Sequence, residues 1–150
     1  VNDTNDFSVV VDENWYDLWK LRFKNPLDDA ESLKFDDNLF LQSIGQPVKK
    51  IEEIQSQYIG LMKFQNEGIS KLKSSYQNAK EISKKESNPL NHKITFEKSY
   101  MTDLLNYLIK NGSKIKAIKI NGGWLELDSM DDYELYENLK MKDETKKFFH

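Results

Sequence analysis

The sequence has no cysteine and only two histidines, His92 and His150. A disulfide frame and a thiolate zinc site are therefore excluded, and two histidines so far apart do not make an imidazole one. Any metal would be held by oxygen. Long apolar runs are also missing. Nothing approaches the roughly 20 residues that a bilayer-spanning helix needs, and the opening VNDTNDFSVVVD has neither a basic n-region nor an apolar signal core. A soluble, cytoplasmic protein without a membrane partner is the expectation. No charge of one sign dominates: 25 acidic residues against 22 basic ones leave a net charge of −3, which gives no general attraction for nucleic acid. The six glycines are scattered and form neither a G-x-G-x-x-G run nor a Walker loop. An initiator methionine is absent too, and an apolar run begins as early as Phe7. The expectation is a chain cut from something longer.

What is present suits one domain with a modest core, since 150 residues are too few for two. Phe7 to Val11 is a short β-branched run that suits a buried strand, and Asp12 stands at its C-terminal end. Residues 13–22 read as a helical turn or two, with Trp15 and Trp19 on one face. Glu31 to Phe35 and Leu39 to Ile44 are short strands joined by Asp36-Asp37-Asn38 as a hairpin turn, closed off by Gly45 and Pro47. Gln57 to Phe64 is a further strand. From Asn66 to about Glu86, Ile69, Leu72, Tyr76 and Ala79 recur at helical spacing, and the lysines between them are a solvated face or an anion-binding patch. Ser87-Asn88-Pro89 ends that helix. Met101, Leu104, Leu105 and Leu108 mark another, stopped by Asn111-Gly112 as a left-handed cap. Ile115 to Ile120 is a strand, Asn121-Gly122 a hairpin turn, Trp124 to Asp128 the returning strand, and a last helix starts near Met130 and runs into a mixed-charge tail. Hairpins mixed with crossover-like helices give an α/β or α+β class.

The returning strand is the chemically informative stretch. Alternation puts Trp124, Glu126 and Asp128 on one face and Leu125 and Leu127 on the other, so the leucines should bury and the carboxylates should face a cleft or solvent. Asp128 ends that strand, where open α/β sheets bind ligands. Magnesium takes oxygen ligands and commonly one or two carboxylates beside substrate phosphates, so one aspartate is plausible as part of a site. Asp131 and Asp132 have a different reading. Ser129-Met130-Asp131-Asp132 resembles a capping box, with Ser129 as N-cap and Asp132 at N3.

At this point INGGWLELDSMDDYELYE resembles the C-terminal signature of nucleotidyltransferases of the sugar-phosphate and phosphocholine cytidylyltransferase type: a Trp, then Glu-x-Asp, a small residue and an acidic helix start. FSVVVDENWYDLWKLR, NPLDDAESL, SQYIGLMKF and SYMTDLLNYLIKNG follow the family's order, and the likeness runs from about Phe7 to Leu139. It lies closest to the branch acting on small-alcohol phosphates and phosphonates. The resemblance implies the C-terminal half of a Rossmann-like α/β fold, with a mixed sheet, β-hairpins and flanking helices, while the triphosphate loop and first magnesium ligand belong to a half not present. By this carry-over Asp128 is the second Mg²⁺ ligand and Glu126 its neighbour in the cleft. Asp12 leads into the acceptor region, and Trp15 and Trp19 either bound an acceptor pocket, where ring faces would suit a quaternary ammonium, or simply pack.

Asp28, Asp29 and Glu31 either meet a cationic head group or serve a turn and strand edge. Tyr58 and Gly60 would line the acceptor side, with glycine allowing close backbone approach. Two departures bear on the acceptor: the family often has a lysine where Gln46 stands and a Gly-Glu-like pair where Ser56-Gln57 stands. The implied function is transfer of a nucleotidyl group, cytidylyl above all, from CTP or another NTP to a phosphorylated or phosphonate acceptor, with pyrophosphate leaving. The chain alone is expected to be inactive and to dimerise, or to associate with its missing half, through an exposed sheet edge. The competing class is a non-catalytic ligand-binding or interaction domain that retains the fold.

Overall fold

The computed structural model describes residues 3–142. Among the described residues five strands and four α-helices follow in the order β1 (Phe7–Asp12), α1 (Trp15–Arg22), β2 (Glu31–Phe35), β3 (Leu41–Pro47), β4 (Gln57–Phe64), α2 (Glu67–Ser83), α3 (Met101–Lys110), β5 (Lys116–Ile120) and α4 (Met130–Met141). The class is α/β with a mixed sheet, as expected. β1 is central, antiparallel to β4 and parallel to β5, while β2 and β3 form a separate antiparallel hairpin.

β1 is buried on both faces, which accounts for its unbroken Val9-Val10-Val11 run. Its apolar side chains join Leu33 and Ile44 of the hairpin, Leu105 and Leu108 of α3, and Ile115 in one core. The hairpin is stitched to the main sheet at its tip. Leu41 N–H donates to the Ile115 carbonyl and Ala117 N–H to that of Leu39, both within 3 Å. Asn106 of α3 is buried and bonds both the N–H and the C=O of Ile44, fastening α3 to β3. α3 ends as its sequence predicts: Gly112 is left-handed, and the Ser113 and Gly112 N–H groups return to the Leu108 and Ile109 carbonyls.

Several expectations are corrected. β3 extends through Gly45 to Pro47 instead of stopping at Ile44. Gly60 does not serve a close approach, because nothing lies within 4 Å of a Cβ placed there. Its role is conformational: β4 carries extra residues between Tyr58 and Met62 opposite Val9–Val11, and the bulge needs the φ of +79° that Gly60 adopts. The larger correction concerns residues 121–129, which form no strand and no hairpin. Gly122 and Gly123 both take positive φ, so the chain leaves β5 by a turn. Beyond it, tertiary side-chain bonds take the place of a ladder.

Candidate functional site at the Arg22 carboxylate cluster

Two buried polar side chains hold residues 121–129 in place. Asp12, at the end of β1 and 2% exposed, accepts from the N–H groups of Asn14 and Gly122 at 2.8 Å and from Trp124 Nε1 at 2.9 Å. Its oxygens are committed to the fold. The expectation that Asp12 binds acceptor is corrected on that ground, because a ligand would have to displace three internal donors.

Arg22, the last residue of α1, is the second anchor, with its side chain only 2% exposed. Nη1 donates to Glu126 at 2.7 Å, Nη2 to Asp128 at 2.9 Å, and Nε and Nη2 to the two oxygens of Asp132 at 2.8 and 3.1 Å. The guanidinium also lies over the Trp19 and Phe23 rings, the arrangement for which its flat, weakly hydrated head is suited. Burial opposes its charge, but the hydrogen bonds to Asp132 and Asp128 outweigh that and hold its pKa above the ordinary arginine value. The Arg22 bonds in turn drive Asp132 well below the usual carboxylate range. Burial pushes Glu126 up, and Arg22 offsets this in part. The sequence reading missed Arg22; a lone arginine at a helix end carries no local signal of 104 to 110 residues of separation from its partners.

Asp132 also closes the capping box on α4, as predicted: it accepts from Ser129 N–H and donates its own N–H to Ser129 Oγ. Burial raises the Tyr136 hydroxyl to about 12, and that neutral hydroxyl donates to the Glu126 carbonyl at 2.6 Å. Glu126 and Asp128 thus point the same way without a strand to enforce it. Leu125 packs into an aromatic cluster, while Leu127 is 60% exposed, against the expectation that both leucines bury.

Trp15 and Trp19 are 4% and 3% exposed and stand edge to face with each other inside that cluster. They pack, and their faces are not open to an acceptor. Trp19 Nε1 does reach the site, donating to Asp29 at 3.0 Å. Tyr58 is half-buried against the main core, bonded to Met62 sulfur, and shares no cavity with Asp29 or Asp128.

Two cavities meet at Asp29. One of about 500 Å³ is lined by Arg22, Asp29, Asp128, Ser129 and Asp131. The other, about 300 Å³, is lined by Asp28, Asp29, Glu31, Asn91, Tyr100 and Asp103. Burial raises the Glu31 carboxyl, and the charges of Asp29 and Asp103 raise it further. The fold thus gathers Asp28, Asp29, Glu31 and Asp128 around adjoining concavities, while Glu126 is tied to them only through Arg22, Trp19 only through its bond to Asp29, and Asp12, Trp15, Tyr58 and Gly60 lie outside.

Magnesium can be tested against this donor set. Asp128 is 65% exposed and gives Arg22 only Oδ2, so Oδ1 is open among the described residues. Glu126 and Asp132 are engaged by Arg22, and no group of three His, Asp or Glu able to hold a metal occurs among the described residues. The residues fit one ligand of a cation whose other positions go to water and substrate oxygens.

No family model matches the sequence. The chain is 36% identical over 135 residues to a CTP:phosphoglutamine cytidylyltransferase of Campylobacter jejuni subsp. jejuni serotype O:2, a match covering 90% of this chain and 51% of the relative. The chain thus spans about half the length of the curated relative it matches. Among solved structures, the inositol-1-phosphate CTP transferase from T. maritima superposes with a TM-score of 0.55 at 16% identity, over 93% of this chain and 48% of that one. The chain is thus similar along 90% of its length to about half of a cytidylyltransferase, and it shares the fold of part of a CTP transferase.

Proposed function

We propose that the chain supplies the acceptor-side wall and one metal-ligating carboxylate of an enzyme that transfers a cytidylyl group from CTP to a small phosphorylated or phosphonate acceptor, releasing pyrophosphate. The single observation that carries this reading is Asp128: an exposed carboxylate with one free oxygen, fixed by Arg22 at the rim of the larger cavity. Its chemistry is transfer between phosphates. An acceptor phosphate oxygen attacks the α-phosphorus in line, the new P–O bond forms, and the bond to the β-phosphate breaks to release pyrophosphate. That oxygen is already anionic at neutral pH, so no strong base is required. Magnesium, when bound, neutralises charge around the α-phosphate.

Asp128 offers Oδ1 to the cation, and Arg22 keeps that carboxylate from rotating away. Asp28, Asp29 and Glu31 line the adjoining cavity and suit an acceptor carrying an amine or amide donor, as the name of the Campylobacter relative also suggests. The chain functions together with a second half that brings the triphosphate-binding loop.

The test is pyrophosphate release from CTP and phosphoglutamine, by the chain alone and by a longer polypeptide carrying the residues that match the rest of the relative. The longer protein is expected to turn over, with Asp128→Asn reducing kcat by about 10² or more, and the chain alone to be silent. Turnover by the longer protein unaffected by Asp128→Asn sinks the assignment. The non-catalytic alternative draws support from the Arg22–Asp128 ion pair, and predicts CTP or acceptor binding without pyrophosphate from either protein.

A further inference from the structure

The indole N–H of Trp19 donates to Asp29 Oδ2 at 3.0 Å, and the two groups stand in very different surroundings. Trp19 is 3% exposed and packed in the aromatic cluster of α1 and α4, whereas Asp29 is exposed and closes the short helical turn Pro26–Asp28. An indole has one donor and no acceptor. The buried ring therefore offers that donor in a single direction, and the carboxylate must stay within reach or leave it unpaired. The neighbouring Asp28 has no such tether to the interior: its partner is Asn25 of the same exposed turn, Nδ2 to Oδ1 at 2.8 Å. Asp29 is also the one described residue that lines both cavities. The face of the same indole lies against the Arg22 guanidinium, 5.4 Å from the ring centroid, and Arg22 in turn holds Asp128 at 2.9 Å. One buried ring thus meets Asp29 at its edge and, at its face, the arginine that fixes Asp128.

We infer that Trp19 is a positioning residue for the acceptor: its N–H fixes the Asp29 carboxylate at the junction of the two cavities, so that an amine or amide group bound there is held in register with Asp128. This rests on the reading of Asp29 and Asp128 given under Proposed function. A purely structural tryptophan needs only some acceptor for its N–H, and a backbone carbonyl would serve. What the exposed carboxylate adds is orientation. With Oδ2 on a fixed donor, the side chain is ordered before the acceptor arrives, and binding does not have to supply that ordering. The ring faces of Trp19 remain packed and closed to the acceptor; the edge acts, through Asp29.

The experiment uses the longer polypeptide carrying the residues that match the rest of the relative, with phosphoglutamine as the probe. It reads the indole N–H signals by NMR on titration, and the KM for phosphoglutamine against that for CTP. The Trp19 signal should move saturably, while that of Trp124, whose Nε1 is held by the buried Asp12 at 2.9 Å, should stay. Trp19→Phe keeps a ring in the cluster and removes the donor. It should raise the KM for phosphoglutamine about tenfold, the scale of one hydrogen bond to a charged group, and leave the KM for CTP within about twofold. Asp29→Ala should raise the KM for phosphoglutamine at least as much, and adding Trp19→Phe to it should change nothing further, because the two side chains act as one unit. An effect of Asp29→Ala with none from Trp19→Phe overturns the inference and leaves the acceptor reading standing. A full additional loss in the double variant also overturns it, since it marks Trp19 as structural alone. No effect of either variant, or no binding of phosphoglutamine at all, removes the acceptor reading and this inference with it. If Trp19→Phe does not fold, the titration of the unaltered protein decides, and a Trp19 signal that stays put at saturating phosphoglutamine overturns the inference equally.

Discussion

Two packed regions of this chain are held by different forces. Around β1, β5, α3 and the hairpin, the interior is aliphatic, Val9, Val11, Leu105, Leu108 and Ile115 being completely buried, and ladders satisfy most of the backbone. Around α1, α4 and residues 121–129, the interior is aromatic and ionic. Trp15, Trp19 and Trp124 pack there, and Asp12 and Arg22 do for the backbone and carboxylates what a neighbouring strand would otherwise do. The first region tolerates any well-shaped apolar set. The second depends on a few polar groups, each with several partners, and an altered partner leaves others unpaired. The candidate site lies in the second region, where an irregular segment can present carboxylates that a regular strand would space mechanically.

Several measurements would break or sharpen this contrast. The largest expected effect is on the ionic side: Arg22→Met strands two partly buried carboxylates and should lower unfolding free energy by about 3 kcal/mol, at the bottom of the range for breaking a buried pair because Asp128 is solvated. Chemical denaturation checks it. On the aliphatic side, Leu105→Ala should cost about 3 kcal/mol through lost burial and a cavity, while leaving any Mg²⁺ response at Asp128 intact; a lost response would show that the regions are not separable. Asn106→Ala, which unpairs Ile44, should cost about 2 kcal/mol, seen as faster hydrogen exchange along β3.

The pH dependence follows from Asp132. Its folded pKa lies below the ordinary value of 3.8, so its contribution is fully present above that value and lost as pH falls below it. Acid melting of the unaltered chain should therefore include a component that Asp132→Asn removes. Smallest of all, Asp128→Asn should move stability by no more than about 0.5 kcal/mol, as expected of an exposed pair, although it removes the cation response.

The fold was largely legible because its elements are local. The Val9-Val10-Val11 run, the apolar spacing in α3, Gly112 at its end and the Ser129–Asp132 capping box all act within a few residues, and all are found where expected. The hairpin at Asn121-Gly122 was misread for an instructive reason. The dipeptide and the alternation after it satisfy every local rule for a strand, but a strand also needs a partner edge, and Asp12 had already claimed Gly122 and Trp124. Likewise, the aromatic spacing of Trp15 and Trp19 described a shared helix face correctly, while their burial depended on α4 and on Trp124 arriving over them.

By itself the sequence determined most of the helices and strands, and that any metal held by side chains here must use oxygen, since these follow from residue type and short spacing. The tertiary structure alone decided which carboxylates are free. Asp12 and Asp128 are both aspartates beside apolar runs, yet one is sealed by three internal donors and the other keeps an oxygen in solvent. That difference is set by Arg22, Gly122 and Trp124, whose approach across more than 100 residues is a property of packing that no local pattern encodes.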